Sequence, residues 1–424
     1  MTAAPADSPS ATPAGGAAIS TSGQPLHAVL FEGIHPIVEE LLPQAGFTVE
    51  RHAHALPRER LIEVLGRADL VGIRSKSRVD SELLAAAPRL FAIGCFCIGV
   101  DQVDLRAAAL RGIAVFNAPF SNTRSVAELT IAEVVALSRR LFDKSAALHG
   151  GRWDKSASGC REVRGRTLGI VGYGHIGSQV SVLAEAMGLR VLYHDISPKL
   201  PMGNARPVAT LEELLASADV VSLHVPATPA TRGLLGAAEI ARLRPGAFVI
   251  NNARGNVVDL PALAEALRAG HVGGAAIDVF PAEPEESSCP FACDLAGLPN
   301  VILTPHIGGS TEEAQEAIAR DVCAKLVRFA RNGSTSTAVN VPEVDLPQLR
   351  PDQHRILHFH HNVPGVLGRM HTMLATLGVN INAEHLQSSG DVSYVILDVD
   401  PVGGEAVKRG LAEVPETIRL RTLW

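Results

Sequence analysis

Six short apolar runs recur between residues 168 and 303, and the segments between them have the apolar spacing of amphipathic helices. Short runs separated in this way predict a parallel sheet with helices on both faces. The predicted strands are Leu168–Val171, Arg190–His194, Val220–Val225, Ala247–Asn251, Gly273–Val279 and Val301–Leu303.

A similar alternation precedes this region and predicts a second parallel sheet, with a helix over Ile34–Leu42. Its strands are predicted at His27–Phe31, Leu70–Arg74 and Ala114–Asn117, and the apolar segment Leu90–Ile98 is expected to be buried. One long amphipathic helix is predicted from Arg124 to His149, leading to the six-stranded region. A helix over residues 311–332 is expected to return to the first sheet.

The pattern changes after residue 353. Residues 343–353 hold two prolines and no glycine, so they indicate a semi-stiff linker. Beyond it the order of elements is strand, helix, two strands, helix and strand, a ferredoxin-like βαββαβ unit. The predicted spans are Arg355–His361, Pro364–Leu377, Val379–Leu386, Val392–Asp400, Glu405–Val414 and Thr417–Leu423.

Composition narrows the class of protein. The net charge is −6, which argues against a nucleic-acid partner, and no apolar run reaches the roughly 18 residues of a membrane span. The six cysteines form no CxxC pair, so we expect a reduced, cytoplasmic protein without disulfides or structural zinc. Residues 1–24 lack the basic and apolar parts of a targeting signal and are expected to be disordered.

A glycine motif, Gly172-x-Gly174-x-x-Gly177, lies between a predicted strand and a predicted helix. In this context the motif predicts a dinucleotide site, with the pyrophosphate at the helix N-terminus. Asp195 ends the next strand, where a carboxylate binds a ribose 2′-hydroxyl and favours NAD over NADP. The alternative is a chance cluster of glycines in a turn.

These patterns together predict an α/β fold with two Rossmann-like, doubly wound parallel-sheet domains and a C-terminal ferredoxin-like domain. The substrate-binding domain is predicted to be discontinuous, and a cleft is expected between it and the NAD-binding domain. The predicted boundaries are 25–122 with 308–342 for the substrate domain, 123–307 for the NAD domain, 343–353 for the linker and 354–424 for the C-terminal domain.

Polar residues follow the predicted strands of the NAD domain, at the sheet edge where α/β proteins bind ligands. His306 is the candidate base for an alcohol proton, Glu283 its orienting carboxylate, and Arg254 a fork for a substrate carboxylate. Taken singly, each is also explained as a structural or surface residue. The residues predicted to bind the cofactor are Gly172, Gly174, His175, Ile176, Gly177, Asp195, His224, Val225, Pro226, Ala253, Arg254, Asp278, His306, Gly308 and Gly309.

Two further groups of polar residues suggest ligands. An anionic substrate calls for cations and hydrogen-bond donors in the cleft, and four loop residues are candidates: Arg74, Ser75, Asn122 and Lys155. His358, His360 and His361 suggest a metal, but a strand places His361 on the opposite face from the other two. A small polar ligand at this strand end is therefore preferred, and no metal is predicted.

Several long blocks resemble the D-isomer-specific 2-hydroxyacid dehydrogenases, and among them the bacterial D-3-phosphoglycerate dehydrogenases with a C-terminal ACT domain. The resemblance covers residues from about 27 to 424. The matching blocks are Ala92–Gly99, Phe116–Glu128, Gly172–Gly177 and Leu303–Thr311.

This resemblance implies oxidation of 3-phosphoglycerate to 3-phosphohydroxypyruvate with NAD, the first step of L-serine biosynthesis. It implies that Arg254, Glu283 and His306 are catalytic, and that Arg74, Ser75, Asn122 and Lys155 bind the substrate's anionic groups. It further implies a homotetramer that L-serine inhibits through its ACT domains, with effector residues at His360, Asn362 and Asn380.

The sequence departs from its close relatives at two places. Ala53 stands near the position of a substrate-binding lysine, for which His52 or His54 is a candidate substitute, and Leu349–Asp352 replaces a glycine pair in the linker. Two other functions stay open. One is another 2-hydroxyacid dehydrogenase, acting on 2-hydroxyglutarate or glycerate, with 2-oxoglutarate as a side substrate. The other is a non-catalytic NAD-sensing protein similar to a corepressor.

Overall fold

A computed structural model describes residues 25–284 and 290–423. The predicted disordered tail at 1–24 lies outside the described residues. Contacts divide the chain into two units, one formed by the segments up to Pro119 and from Glu316 onward, the other by Phe120–Gln315. The domain boundaries predicted from the sequence stay predictions. No helix in the described ranges is long and apolar enough to cross a membrane.

The first sheet is parallel, and its five strands lie in the order β2-β1-β3-β4-β5. The strands are β1 (Leu26–Leu30), β2 (Phe47–Arg51), β3 (Leu70–Ile73), β4 (Ala92–Cys95) and β5 (Ala114–Asn117). Helices α1 (Val38–Gln44), α2 (Arg58–Leu65), α3 (Ser81–Ala85) and α4 (Leu105–Ala109) connect them. The three predicted strands are confirmed, and the predicted buried segment Leu90–Ile98 contains β4. The prediction missed β2, an edge strand on which only Phe47 is buried.

The predicted helix from Arg124 to His149 is wrong as a single element. It consists of α5 (Thr123–Arg139) and α6 (Leu141–His149), separated by Arg140 in a left-handed conformation with φ 51°. The Arg140 side chain donates to the carboxylate of Asp143 at 2.9 Å, and that carboxylate also accepts the backbone N–H of Asn300. The helix therefore turns because of side-chain contacts, without a glycine or proline.

The second sheet is also parallel and has the strand order β12-β11-β10-β9-β6-β7-β8. Its strands are β6 (Thr167–Val171), β7 (Arg190–His194), β8 (Arg206–Pro207), β9 (Val220–Leu223), β10 (Ala247–Asn251), β11 (Val272–Ile277) and β12 (Val301–Leu303). Helices α7 (His175–Ala186), α8 (Leu211–Ser217), α9 (Ala237–Ala241) and α10 (Leu260–Arg268) cover it. All six predicted strands are confirmed, and only the two-residue β8 was missed.

Helix α11 (Glu312–Asn332) leads to an antiparallel sheet with the order β14-β15-β13-β16. The elements are β13 (His354–His361), α12 (Val366–Thr376), β14 (Ile381–Ser389), β15 (Val392–Val399), α13 (Gly404–Ala412) and β16 (Thr417–Leu423). The predicted βαββαβ order is confirmed. Pro364 precedes α12 instead of opening it, because Gly365 occupies the N-cap.

The two faces of this third sheet have different neighbours. One face packs on α12 and α13, while the other shares a hydrophobic core with the first sheet and α11. Phe359 and Tyr394 stack at 4.0 Å in that shared core, and the Tyr394 hydroxyl donates to the Gly333 carbonyl at 2.6 Å. The third sheet is separate in its strand pairing but not in its core.

Candidate active site

The glycine loop between β6 and α7 leaves no room for side chains at two of its three glycines. A Cβ on Gly172 would lie 2.5 Å from the His224 carbonyl oxygen, and one on Gly177 would overlap the carbonyl oxygen of Gly172. Gly172 also has φ +90°, which side chains disfavour. At Gly174 a Cβ would meet nothing within 4 Å, so the loop is open on that side.

The open side of the loop lies at the start of α7. Gly174 is the N-cap and supplies no side-chain acceptor, so the first N–H groups of the helix have no side-chain cap. Uncapped N–H groups and the positive end of the helix dipole suit a phosphate group. This loop fits the pyrophosphate of a dinucleotide.

Asp195 stands at the end of β7 and is tied to the same loop. Its carboxylate accepts the backbone N–H of Tyr173 at 2.8 Å and that of Ser197 at 2.9 Å. Burial alone would raise the pKa of Asp195, but these hydrogen bonds lower it below its usual value. The group is therefore ionised, in a position that suits a ribose diol and repels a 2′-phosphate.

His306 and Glu283 form a hydrogen-bonded pair near the C-terminal end of the sheet. The Nδ1 of His306 lies 2.8 Å and 3.0 Å from the two carboxylate oxygens of Glu283. The hydrogen bond to Glu283 raises the pKa of His306, although burial opposes it. Burial would raise the pKa of Glu283, but the hydrogen bond and charge of His306 outweigh it, and the net shift is downward. Nε2 of His306 remains available to a substrate.

The loop that carries His306 is held by Asp278. Its carboxylate accepts the Thr304 hydroxyl at 2.6 Å and the backbone N–H groups of Ile307 and Gly308 at 2.8 Å. His306 itself has φ +55°, a conformation that a non-glycine residue holds only when its surroundings fix it. Asp278, predicted to bind the cofactor, thus has both carboxylate oxygens bound to this loop.

Arg254 follows β10 in a turn closed by the side chain of Asn251. The Asn251 amide donates to the Arg254 carbonyl at 3.0 Å and accepts the Ala253 N–H at 3.1 Å. A Cβ on Gly255 would overlap the backbone of Phe280, so glycine allows this turn to lie against the segment that leads to Glu283. The charge of Arg254 makes a small contribution at both groups: it adds to the downward shift of the Glu283 pKa and opposes the upward shift of the His306 pKa.

Asn122, predicted to bind substrate, lies at the start of α5 beside this site. A Cβ on Gly309 would overlap the Asn122 amide, so glycine permits their close approach. The buried Oδ1 of Asn122 has no protein partner among the described residues. An acceptor without a partner there suits a donor from a ligand.

For the other predicted substrate residues, no contact among the described residues of the same unit links them to His306, Glu283 or Arg254. Lys155 lies on the exposed segment after α6, next to Asp154, which pairs with Lys144. Arg74 and Ser75 follow β3 in the other unit. The roles of these residues stay predictions.

The predicted effector residues lie on the third sheet. His360 is buried with its Nδ1 3.3 Å from that of His358, and the Asn362 amide donates to the Gly390 carbonyl at 3.0 Å. Asn380 precedes β14 and lies beside Asn382. In residues 25–284 and 290–423, no three His, Cys, Asp or Glu side chains are grouped to hold a metal ion.

Sequence reasoning missed the asparagine pair Asn251-Asn252 and the anchoring role of Asp278. The pair was detectable as two amides at the end of a buried strand, where parallel strands place functional groups. The role of Asp278 had no local signal, because its partners lie 26 to 30 residues further along the chain.

Residues 131–308 match the family model described as D-isomer specific 2-hydroxyacid dehydrogenase, NAD binding domain, and residues 356–419 match an AHAS small subunit-like ACT domain. A D-3-phosphoglycerate dehydrogenase of Haemophilus influenzae is 49% identical over 96% of this chain and 99% of its own length. One from Dictyostelium discoideum is 47% identical over 93% of this chain and 97% of its own. The crystal structure of a D-lactate dehydrogenase from Aquifex aeolicus, complexed with NAD and lactic acid, is similar with a TM-score of 0.63 and 29% identity, covering 71% of this chain and 95% of that chain.

Proposed function

The chain belongs to the D-isomer specific 2-hydroxyacid dehydrogenases and, within them, to the D-3-phosphoglycerate dehydrogenases, and from this membership we propose its reaction. It oxidises 3-phosphoglycerate to 3-phosphohydroxypyruvate with NAD, as the first step of L-serine biosynthesis. The observation that carries the proposal is the 49% identity, over 96% of the chain, to a D-3-phosphoglycerate dehydrogenase. The pairing of His306 with Glu283 at 2.8 Å supports it.

His306 acts as the base. Its Nδ1–H is directed to Glu283, which fixes the tautomer and leaves the lone pair of Nε2 for the proton of the substrate hydroxyl. Glu283 then stabilises the imidazolium that forms. Arg254 binds the substrate carboxylate and polarises the C2 oxygen as it becomes a carbonyl.

The chemistry that bound NAD would supply is an acceptor for the hydride from C2. On the protein side, the uncapped start of α7 holds the pyrophosphate and Asp195 holds the adenosine ribose. Asp278 binds the loop in which His306 has a left-handed backbone conformation, so the base is positioned before the substrate arrives.

Arg74, Ser75, Asn122 and Lys155 bind the anionic groups of the substrate. The loop after β3 is shaped by Glu32, whose buried carboxylate accepts the backbone N–H groups of Lys76 and Ser77 at 2.9 Å and 2.7 Å. His52 is held by Glu50 at 2.9 Å and stacks on Phe31, whereas His54 is exposed. We therefore favour His54 as the substitute for the lysine that relatives carry near Ala53.

A substrate panel tests the reaction. Purified protein with NAD is offered 3-phosphoglycerate, 2-hydroxyglutarate, glycerate and lactate, and NADH formation is followed. We expect the highest kcat/KM with 3-phosphoglycerate and a loss of about 100-fold or more in His306→Ala. Turnover that prefers glycerate or 2-hydroxyglutarate contradicts the substrate, and no turnover at all contradicts the enzymatic function.

L-Serine is the proposed effector, bound between two copies of the chain. His360 lies near the end of β13, opposite Ser393, whereas Asn380 precedes β14, whose first residue is opposite Val399. These positions are about 20 Å apart at roughly 3.3 Å per residue. One chain therefore offers two half-sites, and the second copy completes each.

Calorimetry tests this effector. We expect L-serine to bind the wild type and to inhibit it, and both effects to be lost in Asn362→Ala. D-Serine serves as the control ligand. Absence of L-serine binding contradicts the proposal.

The proposed assembly is a homotetramer that uses α6 as one of its contacts. No residue of α6 is buried, yet Leu141, Phe142 and Leu148 are apolar and more than half exposed. Trp153, just beyond the helix, is 78% exposed. An apolar helix of this kind suits a contact with a second copy.

A further inference from the structure

Glu133 is a carboxyl group buried inside the NAD-binding unit. It lies on α5 and is only 3% exposed, on a helix face whose other buried members include Val126, Val134 and Leu137. No Lys, Arg or His side chain bonds to it within the described residues. Burial of a carboxyl group among apolar side chains costs folding free energy, and hydrogen bonds to the group offset that cost.

The partner of Glu133 is Asn252, which stands two residues before Arg254. The Asn252 amide donates to Glu133 Oε2 at 2.7 Å and to the Thr130 hydroxyl at 3.1 Å, and all three side chains are buried. The amide of the preceding residue, Asn251, instead closes the turn around Arg254. One asparagine therefore shapes the turn, and the next fixes that turn to α5.

We propose that Glu133 is a positioning residue for Arg254, acting through its hydrogen bond to Asn252. This inference rests on the proposed dehydrogenase function, in which Arg254 must meet the substrate carboxylate and the C2 oxygen together. Helix α5 packs on β10, and Glu133 fixes the end of β10 through Asn252, while Gly255 lets the next part of the turn lie against Phe280. A turn fixed at two points limits the positions open to the Arg254 backbone.

The neutral form of Glu133 serves this role. Burial raises its pKa to about 8, with Asn252 lowering it and the charge of Asp278 raising it further. Its Oε1 and the Oδ1 of Asn252 are both buried without a protein partner among the described residues. An amide oxygen in place of Oε2 would accept the same hydrogen bond, so glutamine reproduces what the carboxyl group does.

Three variants test the proposal. Glu133→Ala removes the acceptor, Glu133→Gln keeps it, and Ser138→Ala removes a buried hydroxyl of the same helix that donates to the Val134 carbonyl. For each, kcat and KM for 3-phosphoglycerate and the melting temperature are measured. We expect kcat/KM to fall up to about 100-fold in Glu133→Ala, because small displacements of a substrate-binding group have effects of that size. Glu133→Gln and Ser138→Ala are expected to behave as the wild type.

Three results would overturn the proposal: unchanged kcat/KM in Glu133→Ala, a loss in Glu133→Gln as large as in Glu133→Ala, or a loss in Ser138→Ala as large as in Glu133→Ala. The last would mean that any disturbance of α5 lowers turnover. Wild-type turnover reports separately on the proposed function, since the role of Glu133 is judged from ratios between variants.

Discussion

At the scale of single residues, the site depends on groups whose neighbours determine their pKa and their backbone conformation. The hydrogen bond to Glu283 raises the pKa of His306, and a loop bound to Asp278 holds its backbone at φ +55°. Neither effect is a property of histidine itself. Both follow from carboxylates that the fold places next to it.

Replacing Glu283 by glutamine should move the acidic limb of the pH profile. The base must be neutral, so kcat/KM for oxidation falls as the pH drops through the pKa of His306, which lies above its ordinary value. Without the Glu283 charge that pKa decreases, and the limb moves to lower pH. Plateau turnover falls by about 100-fold or more, because the imidazolium loses its partner. The measurement is kcat/KM against pH, with Glu82→Gln as a surface control. A limb that stays in place in Glu283→Gln would refute the pairing.

A methyl group at position 255 should disturb Arg254 without touching its side chain. A Cβ there overlaps the Phe280 carbonyl group, so Gly255→Ala forces the turn away from the Glu283 segment. We expect a loss of about 1–3 kcal/mol in unfolding free energy and a marked fall in kcat/KM. Gly368→Ala is the control, because a Cβ in that helix meets nothing within 4 Å. Equal stability of the two variants would show that the turn can relax.

At the scale of elements, the parallel sheets were predictable and their edges were not. Strands buried on both faces, such as β6 and β10, appear in the sequence as short and nearly continuous apolar runs, which makes them recognisable as strands. Edge strand β2 carries exposed polar residues and gives no such signal. The break at Arg140 was also hidden, because it depends on Asp143 and on Asn300, 157 residues beyond that aspartate.

The same limit applies to the site. Residue types at strand ends predicted His306 and Arg254 as site residues, because parallel strands place their carboxyl ends on one edge. Glu133 was not identified, since it lies within a helix and its partner Asn252 is 119 residues away. A group that positions a catalytic residue without touching the substrate is determined by tertiary packing, and a local sequence pattern does not reveal it.

The exposed apolar side of α6 leads to a prediction about self-association. Replacing Phe142 and Leu148 by glutamate places charges on this helix, and we expect the assembly to dissociate into smaller species. Sedimentation velocity measures the change. Leu200→Glu is the control, because Leu200 is 89% exposed on a different segment. If the Phe142→Glu, Leu148→Glu double variant sediments as the wild type does, α6 is not a contact.

At the scale of the whole chain, the C-terminal sheet belongs to the same unit as the first sheet and shares its core. Arg421 of β16 is partly buried, and its guanidinium lies over the ring of Phe91 at 3.8 Å and near that of Phe329. Burial lowers its pKa to about 10, so it remains charged at neutral pH and interacts with both rings as a cation. The ACT-like sheet thus covers apolar surface that the first sheet and α11 would otherwise expose.

The connection to this sheet is fixed by a buried ion pair. Arg355 of β13 binds both carboxylate oxygens of Asp398, at 2.6 Å and 2.7 Å, and also donates to the carbonyls of Asn332 and Pro347. The guanidinium therefore joins the end of α11, the linker and the sheet at one point. This clamp is consistent with a linker that has no glycine pair, because the segment is held instead of hinged.

Breaking the clamp should destabilise the unit strongly. Asp398→Ala leaves the Arg355 charge buried with carbonyl partners only, which costs about 3–5 kcal/mol for a broken buried pair. Asp345→Ala is the matched control, since it breaks an exposed ion pair with Arg328 and should cost at most about 1 kcal/mol. Denaturant unfolding gives both values, and limited proteolysis at 343–353 should accelerate only in Asp398→Ala. If the two variants are equally stable, the buried pair is not what holds the linker.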